Sequence, residues 1–162
     1  MRLEYIFPIL LFIPIAILQM TIVPFLTFSF IAPDLIMILV IYFALRDGQM
    51  FGMVLGFVLG LLFDLFSGSL LGGHMFAYTL TGFIAGYFYN ENKTSYNINS
   101  FFFLFIVFIC ASIGSIANSF FSSPETNISI IYVLFDQGLL PGIYTAVVAL
   151  PVVLINPGKR MI

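Results

Sequence analysis

The chain runs as a series of long apolar stretches separated by short polar or proline-marked breaks, and the breaks define the elements. Read at helical period, the stretches give six membrane spans. They are about Tyr5 to Thr21, Asp34 to Leu45, Gln49 to Phe63, Leu70 to Tyr89, Phe101 to Phe121 and Leu139 to Ile155. The first contains Pro8 and Pro14, which membrane helices tolerate, usually with a kink. Arg2 ahead of an apolar stretch has the outline of a signal peptide. Glu4 is out of place there and no small-x-small cleavage site follows, so the stretch reads as a span.

The breaks differ in kind. Pro24 to Ile31, rich in Phe and Thr, reads as extended or partly re-entrant, with Phe25 to Ile31 open between a re-entrant segment and part of a span. Pro33-Asp34 reads as a helix start, since proline suits the first turn and an acid there complements the helix dipole. The span from Asp34 is only about 18 Å long at 1.5 Å per residue. A hydrocarbon core is roughly 30 Å thick. Either the preceding run completes the crossing or this helix begins inside protein. A polar connector, Asn90 to Ser100, divides the halves. A loop, Ser122 to Ser129, precedes a short segment, Ile130 to Phe135, broken by Asp136-Gln137-Gly138.

The basic residues orient the spans. With both termini in the cytoplasm, Arg2, Arg46, Lys93, Lys159 and Arg160 all fall on the inner side. The outer connections, near Pro24, near Ser67 and from Ser122 to Ser129, carry none, which is the positive-inside asymmetry.

Composition agrees with a bilayer as solvent. Of 162 residues, 62% are hydrophobic and 7% charged, with a mean hydropathy of +1.17. Soluble domains run about 45–50% apolar and about 25% charged. At roughly 20 residues per helix the length leaves little beyond the spans. The expected architecture is therefore an all-α integral membrane protein, residues 1–162 forming one polytopic domain. A net charge of −2 argues against nucleic acid as a partner, which clustered Lys and Arg would bind. One cysteine, Cys110, excludes an internal disulfide, and one histidine excludes a Cys/His metal site. No cofactor is expected, and Cys110 reads as a buried structural thiol.

The strongest local pattern is Gly48, Gly52, Gly56 and Gly60, at four-residue spacing along the third span. Such a groove lets another backbone approach closely, either another span of this chain or another protein. Gly82 and Gly86 repeat the pattern on the fourth span. Asp64 continues the register, followed by Gly68 and Gly72. An acid inside an apolar run is costly unless bonded, and it points to function or to a local bond with the Ser67-Gly68-Ser69 backbone. Because an acid at a helix C-terminus opposes the dipole, something must compensate for it. Only His74, Asp136 and Asp34 could join Asp64 in a relay, and nothing in the sequence brings them together. His74 reads as an interfacial or core hydrogen-bonder rather than a ligand. Arg46-Asp47 reads as an interface pair ending the second span. Ser67, Asp64 and His74 are triad types without a Gly-x-Ser-x-Gly frame, and no Walker, His-Glu-x-x-His or dinucleotide motif occurs. The reading is non-enzymatic. The sequons Asn92-Lys93-Thr94 and Asn127-Ile128-Ser129 are short enough to be chance.

Pro33-Asp34-Leu35, the span to Arg46-Asp47-Gly48, then Gly52-x-x-x-Gly56-x-x-x-Gly60-Leu61-Leu62-x-Asp64 and Gly68-x-x-x-Gly72 together resemble the MreD family, the rod shape-determining membrane proteins of bacteria. The resemblance covers about Pro33 to Gly86, with Pro141 and Pro151 a less specific addition. It implies a multi-pass inner-membrane component of the elongation (rod) complex that binds the transmembrane helix of MreC. It would work beside MreB, RodA and its penicillin-binding transpeptidase, scaffolding or regulating peptidoglycan synthesis without catalysis. It places Pro33, Asp34, the glycine series and Asp64 in packing or partner contact. The family is also similar in fold to the S components of energy-coupling-factor vitamin transporters, which supplies a rival reading. Against it, the Ala-x-x-x-Ala docking motif of such proteins is missing, since Ala16 stands alone on the first span. A proton-coupled carrier is a third reading, for which the intramembrane acids are too few.

Overall fold

The structure, a computed structural model, describes residues 7–27, 31–91, 94–122 and 133–155. These residues are all-helical. The first half comprises α1 (Phe7–Thr21), α2 (Val23–Leu26), α3 (Leu35–Asp47), α4 (Gln49–Ser67) and α5 (Gly73–Gly86). After it come α6 (Thr94–Asn99), α7 (Phe102–Ser122), a π-helical segment (Val133–Leu139), α8 (Leu140–Val148) and α9 (Leu150–Ile155).

Three helices among the described residues are long and apolar enough to cross a membrane by length and composition: Gln49–Ser67, Phe102–Phe121 and Leu134–Leu154. Three of the six expected spans are therefore matched by a full-length helix, whereas α1, α3 and α5 are shorter. The reason is visible at their ends. Gly72 adopts a left-handed φ of 109° and delays α5 to Gly73, and tight turns over Tyr87, Phe88 and Tyr89 close it at Gly86. Conversely, α4 runs four residues past the expected Phe63, until Gly68 at φ 66° stops it.

Other boundaries also move. The stretch after Pro24 begins as a helical turn, α2, because Pro24 sits in the first turn where its missing N–H costs nothing. Residues 28–30, the centre of the possible re-entrant segment, lie outside the described residues. The polar connector holds α6, whose neighbour-facing Asn97 donates from Nδ2 to Phe88 O at 2.7 Å. Asp136-Gln137-Gly138 does not break its segment. The π-helical turns carry the chain through it, with Gly138 buried, and lead directly into α8. The break falls instead at Ala149, where Pro151 removes an amide and α9 begins. Both sequons lie mostly outside the described residues.

α3 is the centre of the molecule. Its residues from Ile36 to Leu45 are buried except Tyr42, which is partly so. α1, α4, α5, α7 and α8 all pack against it. A 13-residue helix about 20 Å long cannot span lipid unaided, but it has no need to face lipid. It begins inside protein, one of the two options left open by its length. Around it, α1 presents Leu10, Ile13 and Ile17 outward, α4 presents Met50 and Val54, and α7 presents Phe105 and Phe120. Such an apolar exterior suits hydrocarbon rather than water.

Candidate functional site

The glycine series divides into two kinds of residue. Side chains on Gly52, Gly56 and Gly60 would strike the α5 backbone: Gly52 lies 3.0 Å from Gly82 O, Gly56 2.6 Å from Tyr78 C, and Gly60 2.7 Å from His74 O, measured to an added Cβ. Gly82 and Gly86 meet Gly52 and Gln49 in return. α4 and α5 are thus an antiparallel pair in near-backbone contact, tied further by Gln49 Nε2 donating to Phe83 O at 3.0 Å. Gly52 also rests on Ala44 of α3. This face is covered within the chain and leaves no room for a foreign helix. Gly68 and Gly72, by contrast, have nothing within 4 Å of an added Cβ, and both have positive φ. They serve the turn, not the groove. Gly48, also at positive φ (97°), joins α3 to α4 and packs beside the Tyr89 ring.

The turn explains Asp64. Its carboxylate lies across the start of α5 rather than on the Ser67-Gly68-Ser69 backbone. Oδ2 accepts from Gly72 N (2.9 Å) and Met75 N (3.2 Å). Oδ1 accepts from Ser69 Oγ (3.0 Å) and His74 N (3.3 Å), and pairs with His74 Nδ1 at 2.8 Å. Because a carboxylate only accepts, Nδ1 is the donor in this pair. Asp64 opposes the dipole of its own helix and complements that of the next, which supplies the missing compensation. The order Ser67–Ser69–Asp64–His74 puts the carboxylate between hydroxyl and imidazole. A nucleophilic triad needs the imidazole in the middle, so these hydroxyls gain no base.

Asp34 performs the same service for α3. Oδ1 accepts from Met37 N at 2.9 Å and from the Tyr78 hydroxyl at 3.1 Å. The Pro33–Leu35 corner is also stitched to two other helices. Gln19 of α1 donates from Nε2 to Pro33 O (3.0 Å) and accepts from Leu35 N (2.9 Å), while Asp34 N donates to Thr145 Oγ1 of α8 (3.2 Å). The rings of Phe63, His74 and Tyr78 stack edge-on around this corner, with 4.8 Å between the Phe63 and His74 centroids.

Above the corner lies a polar chamber of about 370 Å³. Asp34, His74 and Asp136, which the sequence leaves unconnected, all line it, as do Gln19, Tyr78 and Asn118. Asp64 stands behind His74 in the wall. Gln19, Tyr78, Asn118 and Thr145 went unremarked in the sequence. The available signal was an uncharged polar residue inside an apolar run, most plainly Gln19 in the last turn of α1. A second, apolar groove of about 570 Å³ runs down the other flank between α1, α3, α8 and α9, lined among others by Leu11, Ile15, Leu39, Tyr42, Val148 and Val152. Arg46 sits at one end of it and forms an exposed 3.6 Å pair with Asp47.

The family model described as rod shape-determining protein MreD matches residues 1–155. No curated protein and no solved structure matches the chain, so the expected fold likeness to vitamin-transporter S components has no solved counterpart behind it.

Proposed function

The chain belongs to the MreD family of rod shape-determining membrane proteins, and from that premise we propose that it is a non-enzymatic, multi-pass component of the bacterial inner membrane that holds the transmembrane helix of MreC. Through that contact it scaffolds the rod complex with MreB, RodA and the penicillin-binding transpeptidase, and so regulates peptidoglycan synthesis along the cylinder. The observation that supports this reading is the division between the two helix faces. The glycine face is filled by α5, whereas the flank between α1, α3, α8 and α9 is an open apolar groove. In lipid, helices associate by close dispersion contact and shape rather than by escape from water, so an unfilled groove is where a foreign helix gains most. Arg46 at its end suits the cytoplasmic headgroup level.

Co-purification with MreC from detergent tests the reading, using Leu11→Trp and Val148→Trp to fill the groove. The wild-type chain is expected to capture MreC, and both variants to express normally but lose it. Failure of the wild-type chain to capture MreC, or undiminished capture by both variants, overturns the proposal.

A further inference from the structure

We propose that the polar chamber above Asp34 is a binding site for a small organic cation whose ammonium or guanidinium N–H groups are held by Asp34 and Asp136. The chamber stands at the start of α3, the end remote from Arg46, and its described lining contains two carboxylates and no Lys or Arg. Three of its donors are already spent on the protein's own acceptors. The Tyr78 hydroxyl is spent on Asp34, the Gln19 amide N–H on Pro33 O, and the Ser119 hydroxyl on Ser115 O. His74 is turned toward Asp64 through Nδ1 at 2.8 Å, so only its other ring nitrogen, Nε2, is free of that pair. Asn118 Oδ1 is buried in the same wall with no partner. These donors are used internally, while Asn118 Oδ1 is left without a partner and the two carboxylates face no Lys or Arg of the described lining. A ligand that donates and carries positive charge answers both.

The size of the space argues for an organic molecule over a single metal ion. Among the described residues no three His, Cys, Asp or Glu side chains stand close enough to share a metal. The volume of about 370 Å³ equals that of roughly twelve waters at ~30 Å³ each and falls within the range of small-molecule sites. Met37, Ala77, Pro33 and Pro141 supply apolar wall for a short carbon chain between its charged ends. The ammonium group has two sources, a free amine or the ethanolamine headgroup of a lipid entering from the side.

The test reads thermal unfolding with a thiol-reactive fluorophore, for which the single buried Cys110 is a ready reporter. In phosphatidylglycerol nanodiscs, 1,4-diaminobutane or methylguanidine is added at matched ionic strength, with succinate as the anionic control. A parallel sample carries phosphatidylethanolamine in the disc and no soluble amine. A saturable rise in Tm of about 5 °C or more with a soluble amine, lost in Asp136→Asn, supports the site with a free ligand. The same rise with phosphatidylethanolamine alone, lost in that variant, supports it with a headgroup. Asp136→Asn leaves the capping bonds of Asp34 and Asp64 in place, so it removes charge without removing a cap. No rise in either arm, an equal rise with succinate, or a rise that survives Asp136→Asn overturns the proposal.

Discussion

At the scale of single residues, Asp64 illustrates how a carboxylate is afforded inside an apolar fold. Asp64→Asn keeps the shape but offers one acceptor oxygen where the native side chain uses two. Either Gly72 N and Met75 N or the Ser69–His74 set then faces an amide NH₂. Stranding buried donors costs about 1–3 kcal/mol each, so a loss of about 2–4 kcal/mol is expected, a fall in Tm of roughly 5–15 °C. Thermal unfolding in detergent measures it, and a Tm within about 2 °C of wild type, equivalent to about 1 kcal/mol or less, sinks the capping role. Tyr78→Phe removes one donor from Asp34 but leaves Met37 N in place. Its expected cost is smaller, about 1 kcal/mol, visible in the same assay. The importance of Asp64 was legible in the sequence, because an acid in the last turn of an apolar helix needs an external reason. Its partner was not, because that depends on how a five-residue turn folds back. Asp34 was legible as an acid at a helix start, but the bond from Tyr78 joins residues 44 positions apart and no periodicity encodes it.

At the scale of helices, four-residue spacing alone does not distinguish two uses of glycine. Gly56 and Gly68 share one register in the sequence, yet one has the Tyr78 carbonyl against it and the other lies in an open left-handed turn. Gly56→Leu must push α4 off α5 backbone to backbone, which no flexible side chain can relieve. It is expected to abolish monodisperse folded protein by size-exclusion chromatography, as is Gly60→Leu. Gly68→Ala meets no atom and pays only for its positive φ, about 1–2 kcal/mol, so it stays folded with a lowered Tm. Equal behaviour of Gly56→Leu and Gly68→Ala contradicts this division. The close pair of α4 and α5 could be read from Gly52, Gly56, Gly60, Gly82 and Gly86 because backbone contact demands small residues on both sides. The π-helical run through Asp136 and the short α6 could not. Both are held by tertiary contacts that override local signals of turn and polarity.

At the scale of the whole molecule, the charges and the helix lengths make different statements about topology. Five basic residues fall on one side only if α3 and α5 each return the chain across the membrane, yet these helices have 13 and 14 residues. The structure offers a way to reconcile them. α3 is wrapped by other helices and α5 is pressed against α4, so their ends need not reach the lipid surface that a lone helix must reach. The extra depth is made up by turns, Ser67 to Gly72 at one end of α5 and Tyr87 to Tyr89 at the other. Six crossings, by three long helices, the short sheltered α3 and α5, and the short outward-facing α1, are the topology expected from the charges. Leu71→Cys and Glu91→Cys bracket α5 at exposed positions, and buried Cys110 stays silent in folded protein. In intact cells a membrane-impermeant maleimide is expected to label Leu71→Cys and to spare Glu91→Cys until the cells are opened. Labelling of both before lysis would place the two ends of α5 on one side, and the six-span topology would fall.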